Sequence, residues 1–482
     1  MKHKGLLRRD MRLYHSSFLN FKSSYIHIDN KIDTIKILMY YNLIIFYGLH
    51  IYCGICQVIK KRSFIMSIGY ACLAIAVPGS ELKSCILKNA TKDHLLSLIG
   101  QNLNSLDKLI DYNVQNGISL FRISSDLIPF GSSVAAEIQW QILYAEKLSA
   151  IGNKIKKAQM RVSMHPGQYT VLNSPDKLVA ARAMEDLNYH TNVLDCMGLG
   201  LEHKIILHLG GAYGDKIQAK SRFISRYKEL NSNVRKRLVL ENDDVSFNII
   251  DILDTSSIAG IPVVYDNLHN AVNPADTGMS DIDWIKKCAT TWDKSDGLQK
   301  VHYSQQNSLK KPGAHSETIC IDNFIKYYRQ LEGMNIDIML EVKDKNISAL
   351  KCINCASNRG ISMLEVEWAH YKYFVLEHSP EIYNKIRQLL RDKNSYPAIE
   401  MYRMIEQASD MPIVTGNAVN AAQHVWGYFK DKASEVEKKK FERILDKYST
   451  GDAELKSVKN NLLQLSRKYN EVYLLNGYYF YK

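Results

Sequence analysis

Eight short apolar runs, separated by helical stretches, constrain the fold of this chain more than any other feature of its sequence. Runs of this length between amphipathic segments such as Leu95–Gln115 and Val134–Ile151 are typical of parallel strands buried on both faces. Eight strand–helix units within residues 66–345 predict an α/β fold, a (β/α)8 TIM barrel. The alternative, an open doubly wound sheet, lacks support because no GxGxxG turn follows the first run. The eight runs are Ser67–Ala71, Ile118–Ile123, Met160–His165, Lys204–Leu209, Arg237–Glu241, Ile261–Asp266, Gln299–Tyr303 and Ile336–Val342.

Residues that can bind metal ions stand at the ends of most of these predicted strands. Because the C-terminal strand ends of a barrel converge on one mouth, we expect these side chains to share one pocket. A single histidine at such a place is commonly structural, and Glu241 and Asp266 could instead cap helices. Together, however, the eight are difficult to satisfy in a buried setting without metal ions. The set comprises His165, His208, Glu241, Asp266, His269, His302, His315 and Glu341.

Eight ligands exceed the needs of one ion, so the sequence predicts a cluster of two or three divalent ions. A mixture of imidazole and carboxylate suits Mn²⁺, Zn²⁺ or Fe²⁺, whereas Mg²⁺ favours oxygen ligands. Sites with two metals fit phosphodiester hydrolysis, because one ion activates water and another stabilises the leaving oxygen.

The net positive charge is distributed unevenly along the chain. The chain carries a formal charge of +12, but residues 1–65 hold 11 Lys or Arg against 3 Asp or Glu, which is +8 and leaves +4 for the remainder. Charge alone is therefore weak evidence for a nucleic-acid partner. The nine cysteines follow no disulfide framework, which suits a reducing compartment, and neither CxxC, at Cys53 and at Cys352, has a second pair at zinc-ribbon spacing.

The first 65 residues leave several interpretations open. Ile37 to Ile59 contains no formally charged residue and is long enough to span a bilayer, and Lys60, Lys61 and Arg62 follow it. The leader is therefore a membrane anchor, a targeting segment, or an over-extended reading frame whose natural start is Met66.

A set of motifs lies along residues 66–345. In chain order they are Ile68-Gly-Tyr-Ala-Cys, Leu120-Phe-Arg-Ile-Ser-Ser-Asp-Leu-Ile-Pro-Phe130, Ser163-Met-His-Pro-Gly-Gln-Tyr169, Leu207-His-Leu-Gly-Gly-Ala-Tyr-Gly214, Leu240-Glu-Asn-Asp243, Tyr265-Asp-Asn-Leu-His-Asn270, Lys300-Val-His302, Lys311-Pro-Gly-Ala-His315 and Met339-Leu-Glu-Val-Lys343. Together these motifs resemble the UV damage endonuclease family. That family consists of TIM-barrel enzymes that nick DNA on the 5′ side of UV photoproducts and other distorting lesions, using divalent ions that are usually manganese.

The resemblance implies roles for individual residues. The eight predicted ligands match the metal ligands of the family, and Glu241 is also taken as catalytic. Tyr70 matches an active-site tyrosine, and Lys300 matches a lysine that can be carboxylated. Gln168 and Tyr169 match the pair that probes the duplex at the lesion, where an aromatic ring can fill the gap left by displaced bases.

Two positions depart from the family pattern. Ala74 stands where the family often has asparagine, and Asp126 stands where it often has histidine. Both changes affect the expected handling of the substrate and leave the predicted ligand set intact.

After Lys345 the pattern becomes helical. We predict a linker over 346–366 and a smaller all-helical domain over 367–482. Two segments, Ala421–Lys430 and Tyr473–Phe480, resemble the YbgA-like domain, whose function is unknown. His370, His424 and Trp426 could form a site there, although core packing is the better explanation. The predicted helices are Glu367–His378, Glu381–Arg391, Ala398–Ala408, Thr415–Phe429, Glu435–Tyr448 and Ser457–Tyr469.

These observations predict a metal-dependent endodeoxyribonuclease acting on lesion-bearing double-stranded DNA as a monomer, without an organic cofactor or a membrane partner. In a bacterium it would be cytoplasmic and associated with the nucleoid. An abasic-site nuclease and a metal-dependent sugar isomerase share this barrel chemistry and remain alternatives. A lesion-binding protein that no longer cuts is a lesser one.

Overall fold

The computed structural model describes residues 66–275 and 278–482. The expectations for the leader, residues 1–65, therefore lie outside the described residues. Within the described part, Met66–Lys482 forms one compact unit.

Eight parallel strands close into a barrel in which β1 pairs with both β2 and β8, which confirms the predicted TIM barrel. Each strand lies within the apolar run that predicted it and is usually a residue or two shorter. The strands are β1 (Ile68–Ala71), β2 (Leu120–Ile123), β3 (Arg161–Met164), β4 (Ile205–His208), β5 (Leu238–Glu241), β6 (Val263–Asp266), β7 (Gln299–Tyr303) and β8 (Ile336–Leu340).

Helices surround the barrel and continue beyond its last strand. Those up to the end of the barrel are α1 (Lys92–Gln115), α2 (Trp140–Leu143), α3 (Ala145–Lys157), α4 (Lys177–Cys196), α5 (Lys216–Glu229), α6 (Ser232–Arg237), α7 (Ile249–Ala259), α8 (Asn267–Val272), α9 (Asp281–Ala289), α10 (Ile321–Gln330) and α11 (Asn346–Ala356). The C-terminal region adds α12 (Ile361–His378), α13 (Pro380–Leu389), α14 (Ala398–Ser409), α15 (Thr415–Trp426), α16 (Glu435–Ser449), α17 (Leu455–Lys468) and α18 (Val472–Leu475). Among the described helices, none combines the length and apolar character that crossing a bilayer requires.

Strand alternation explains how polar side chains reach the inside of the barrel. Ile206, Val239 and Val264, on three adjacent strands, form a small buried cluster of their own. Side chains two residues apart on a strand point to the same face. His208, Glu241 and Asp266 therefore lie one layer above this apolar cluster, toward the C-terminal ends of the strands.

The C-terminal helices pack directly onto the barrel. The segment 346–366, which we predicted as a linker, holds α11 and the first turns of α12, and the main hydrophobic core runs on from the barrel into α12, α13 and α14. Glu406 on α14 accepts hydrogen bonds from the backbone N–H of Ile321, at the start of α10, at 3.0 Å and from Lys351 on α11 at 2.7 Å. The C-terminal helical region therefore caps the N-terminus of α10, a helix of the barrel.

Candidate metal centre

Glu241, the last residue of β5, lies at the centre of the barrel mouth and is 1% exposed. Its Oε2 faces His165 Nε2 at 3.1 Å and His208 Nε2 at 3.7 Å. Its Oε1 faces His302 Nδ1 at 2.7 Å and His269 Nδ1 at 3.6 Å. The two oxygens of one carboxylate thus point at two different pairs of imidazoles, an arrangement suited to bridging two ions.

The remaining predicted ligands extend this cluster on either side. Asp266 lies 3.9 Å from His269, measured from Oδ1 to Nδ1. Glu341, just after β8, places Oε1 3.2 Å from His302 Nδ1 and Oε2 3.8 Å from His315 Nδ1. The structure therefore brings all eight predicted ligands together. Three groups of potential ligand atoms are close enough to hold an ion, and each contains Glu241: His165 with His208, Asp266 with His269, and His302 with Glu341.

Buried polar atoms that lack partners show that the cluster is chemically incomplete as a protein-only network. Among the described residues, Asp266 Oδ2, His208 Nδ1 and His302 Nε2 are buried without a hydrogen bond. Native proteins rarely leave such atoms unsatisfied, because each costs about 1–3 kcal/mol. The donor set of imidazoles and carboxylates fits divalent ions such as Mn²⁺ or Zn²⁺.

The ionisation of the cluster reflects burial and crowding. Burial raises the pKa of Asp266 to about 6 and lowers that of His208 to about 4. Burial also opposes the charged form of His269, but the carboxylates of Asp266 and Glu241 outweigh it and raise the pKa of His269 to about 9. His302 and His208 overcome the effect of burial on Glu241 and hold its pKa well below the usual range. Glu241 is therefore an anion, the form that ligates metals.

Arg122 is a member of the site that the sequence analysis missed. This side chain on β2 donates to Glu341 Oε1 at 2.5 Å and is itself almost buried. Its guanidinium offsets part of the negative charge that the two central glutamates bring into the barrel. A charged residue in the middle of the apolar run Leu120–Ile123 was the signal that could have revealed it.

Lys300 lies inside the barrel two residues before His302 on β7. It is 0% exposed, and its Nζ has no hydrogen-bond partner among the described residues. Burial, reinforced by the positive charge of Arg161, lowers the pKa of Lys300 well below its ordinary value. Burial therefore favours the neutral form of this amine.

Tyr70, predicted as an active-site residue, points away from the ligand cluster. Its hydroxyl donates to Asn113 Oδ1 on α1 at 2.9 Å, and its ring packs against Phe121 with centroids 5.1 Å apart. Tyr70 therefore faces the surrounding helices, and alternation along β1 gives the inner face to Gly69 and Ala71. The sequence motif could not reveal which face of the strand the tyrosine occupies.

Gln168 and Tyr169 lie on the loop that leaves β3, directly after the ligand His165. Both are exposed, and Tyr169 is 83% exposed. The next residue, Thr170, is buried and donates to Asp186 Oδ2 on α4 at 2.6 Å. This anchor, another feature that the sequence analysis missed, holds the loop so that the pair projects from the mouth.

The two departures from the family pattern occupy the same rim. Asp126 lines a cavity of about 620 Å³ together with Tyr169 and Tyr189, between the loops after β2 and β3. Ala74, in the loop after β1, is partly buried against the main core. Neither is among the groups that could hold an ion.

The C-terminal residues that the sequence singled out do not form a second cluster. Trp426 stacks on Phe441 at 4.3 Å within the core of the C-terminal helices, as expected for packing. His370 packs against Tyr478 at the junction with the barrel, and His424 is exposed.

Comparisons with known proteins agree with the geometry of the mouth. The family model described as UV-endonuclease UvdE matches residues 66–369, and the model for a protein of unknown function, DUF1722, matches residues 372–482. A UV DNA damage endonuclease of Clostridium perfringens is 39% identical over 79% of this chain and 92% of its own length. That of Bacillus cereus strain Q1 is 31% identical over 62% of this chain and 98% of its own.

A solved structure is similar as well. The crystal structure of SacUVDE matches with a TM-score of 0.57 and 37% identity, covering 60% of this chain and 97% of that one. The ligand cluster at the mouth of a parallel barrel and the match over residues 66–369 lead to one conclusion: this chain belongs to the UV-endonuclease family.

Proposed function

We propose that this protein nicks double-stranded DNA on the 5′ side of UV photoproducts and other distorting lesions, by hydrolysis that depends on two or three divalent ions. The observation that carries this proposal is the gathering of seven potential ligands into three ion-sized groups that share Glu241 at the barrel mouth, in a chain of the UV-endonuclease family. Manganese is the ion we propose, since the ligands mix imidazole with carboxylate.

When bound, the ions supply a water activated for attack and a positive charge at the leaving oxygen. The barrel itself positions the ligands relative to one another. β4 pairs with β5 at His208 and Glu241, and β6 pairs with β7 at Asp266 and His302, so adjacent strands deliver their ligands at one height. Arg122 orients Glu341 by its ion pair and keeps that carboxylate charged.

We further propose that Lys300 is carboxylated and serves as an additional acidic group in this site. The support is its complete burial, with an amine that has no partner among the described residues. Attack of the neutral amine on CO₂ forms a carbamate N–C bond and releases one proton. A lysine that reacts in this way changes from a potential cation to an anion, which suits a site for cations.

Recognition of damage is assigned to Gln168 and Tyr169. A lesion weakens pairing and stacking, so inserting side chains at that step costs less than at an intact one. Because Tyr169 is exposed and its loop is anchored at Thr170, its ring can enter the duplex without first being released from the protein core.

A nicking assay tests the proposal. Supercoiled plasmid irradiated with UV should be nicked in the presence of Mn²⁺, intact plasmid should remain closed, and EDTA should stop the reaction. Cutting only of a plasmid with abasic sites would indicate an abasic-site nuclease instead. Tight binding of irradiated DNA without any nick would indicate a lesion-binding protein, and activity on a ketose without effect on DNA would indicate an isomerase.

A further inference from the structure

The most exposed large apolar side chains of the described residues are all at the barrel mouth. Leu309 is 93% exposed, Tyr169 is 83% and Val245 is 80%. They stand in the loops that follow β7, β3 and β5. Single exposed apolar residues are common on proteins. Three of them together on the loops around a metal centre indicate a surface that is covered when the substrate binds.

The loop of Leu309 is a short hairpin with a defined shape. Gln306 and His315 form an antiparallel bridge at its base, so the hairpin starts at a predicted metal ligand. At its tip, the backbone N–H of Leu309 donates to Asn307 Oδ1 at 3.0 Å, and that of Gly313 donates to Gln306 Oε1 at 2.8 Å. Leu309 is thus exposed on a loop that its own hydrogen bonds hold in shape.

Gly313 places the hairpin against its neighbour at the mouth. Its φ is +84°, and a Cβ there would come within 2.5 Å of Asp244 Oδ2 in the loop after β5. A glycine is required both by the left-handed backbone and by this close approach. The hairpin therefore lies beside the β5 loop, which carries Val245, while Leu309 itself is exposed.

Leu309 and Tyr169 stand in loops of the same barrel mouth. The loops leave β7 and β3, which are four strands apart in the closed barrel of eight. The ligand cluster around Glu241 lies at this mouth. A duplex that covers the metal centre therefore has both loops beside it.

Lysines surround Leu309 and identify the kind of partner. Lys310 and Lys311 follow it directly, and both are exposed. Lys343, also exposed, lies next to the base of the hairpin, where its backbone N–H donates to Ser316. Lys310 is paired with the exposed Glu317 at 2.8 Å, whereas Lys311 and Lys343 form no ion pair within the described part of the chain. An apolar side chain flanked by cations complements a nucleic-acid groove bordered by phosphates.

We propose that Leu309, like Tyr169, is an insertion residue, and that it enters the minor groove of the DNA duplex while Lys311 contacts the adjoining phosphates. Proteins that kink DNA use apolar wedges of this kind, and the cost of unstacking is offset by contacts that the bent duplex permits. The inference rests on the proposed function, since it takes lesion-bearing DNA as the substrate. Two wedges from two loops of the mouth bend the duplex across the metal centre.

The test compares Leu309→Ala with Ile258→Ala, whose side chain is 65% exposed near the end of α7, on the opposite face of the barrel. The probe is a duplex with a single photoproduct and a fluorescent 2-aminopurine beside it, titrated with the full-length protein in Ca²⁺ to prevent cutting. Leu309→Ala should weaken binding about tenfold and reduce the 2-aminopurine signal of unstacking, while its metal content stays that of wild type. Ile258→Ala should bind like the wild type.

Lys311→Ala provides a second, independent readout. It should weaken binding to damaged and intact duplex alike and lower the slope of log affinity against log salt by about one. If Leu309→Ala binds and unstacks the duplex as well as the wild type does, and the wild type nicks, the inference is overturned and the proposed function stands. A wild type that does not nick while Leu309→Ala still loses binding would overturn the proposed function and keep the wedge. Absence of any duplex binding by the wild type would overturn both.

Discussion

The two ends of the barrel treat buried charge in opposite ways. Toward the N-terminal end, three cations each have a carboxylate partner: Arg161 binds Asp337 at 2.7 Å, Arg237 binds Asp195 at 2.5 Å, and Lys204 binds Asp296. At the mouth, four imidazoles share the carboxylate of Glu241, and several polar atoms have no partner.

The contrast separates residues that stabilise the fold from those that are available for chemistry. Paired charges at the lower end are complete without any ligand. The crowded, incomplete set at the mouth becomes complete only with ions, which agrees with the location of active sites in barrels of this kind. Strand β5 shows both cases, because Arg237 immediately precedes it and Glu241 ends it.

The largest effect on activity is expected from Glu241→Gln. The amide keeps the shape of the side chain but cannot bridge two cations as an anion does, so nicking of irradiated plasmid should fall by about two orders of magnitude or more. Metal content, measured on protein purified without chelator, should fall below that of the wild type, while the melting temperature of the metal-free protein should change little. If the variant kept full activity and an unchanged metal content, Glu241 would not be a metal ligand.

The largest effect on stability is expected at the other end of the same strand, from Arg237→Met. Arg237 also donates to the carbonyls of Leu199, Gly200 and His203, so its loss leaves one carboxylate and three carbonyls without their partner. The free energy of unfolding in urea should fall by about 1–3 kcal/mol for each buried carbonyl that loses its donor, with a smaller contribution from Asp195, which is partly exposed to water. Nicking per folded molecule should be unaffected at low temperature. A variant that keeps the unfolding free energy of the wild type but no longer nicks would contradict this contrast, in which the N-terminal end stabilises the fold and the mouth carries the chemistry.

A smaller effect is expected at the rim, where Gln168→Ala with Tyr169→Ala should remove discrimination and keep the metals. The ratio of cleavage rates for lesion-bearing and intact duplex, at subsaturating DNA, should fall about ten- to a hundredfold, because stacking on an aromatic ring contributes about 1–3 kcal/mol per base. The control is metal content, which should equal that of the wild type. An unchanged ratio would show that the pair has no part in recognition.

The smallest effect is expected from acid, through His203 at the lower end. Its Nδ1 accepts a hydrogen bond from the backbone N–H of Val162 at 3.0 Å, and burial lowers its pKa to about 4. Below pH 6.5 the unfolded chain takes up a proton that the folded protein does not. Stability should therefore fall by about 1 kcal/mol for each pH unit between pH 6.5 and pH 4.

His203→Gln is the matched variant for this prediction, since an amide oxygen can still accept from Val162 but does not titrate in this range. The difference between the unfolding free energies of variant and wild type should therefore change with pH in that interval. A constant difference would show that His203 takes up its proton in the folded protein as readily as in the unfolded chain.

Most of the candidate ligands could be proposed from sequence because each is a local signal, an ionisable residue at or near the end of an apolar run. Arg122 was not predicted, because its role depends on Glu341, 219 residues away. Thr170 was missed for the same reason, as its partner Asp186 lies on the following helix. Tyr70 is the opposite case. Its motif predicted an active-site residue, but in the structure its side chain faces α1.

The sequence by itself determined the number and order of the barrel strands, the family and the set of candidate ligands. Periodicity, chain order and residue type are properties of the chain, and convergence at the mouth follows from closing parallel strands into a barrel. Only the tertiary structure decided that the two oxygens of Glu241 face different histidines, that Lys300 has no hydrogen-bond partner among the described residues, and that Leu309 is exposed at the same mouth as Tyr169. These depend on strand register, side-chain direction and burial, which residues distant in sequence fix jointly.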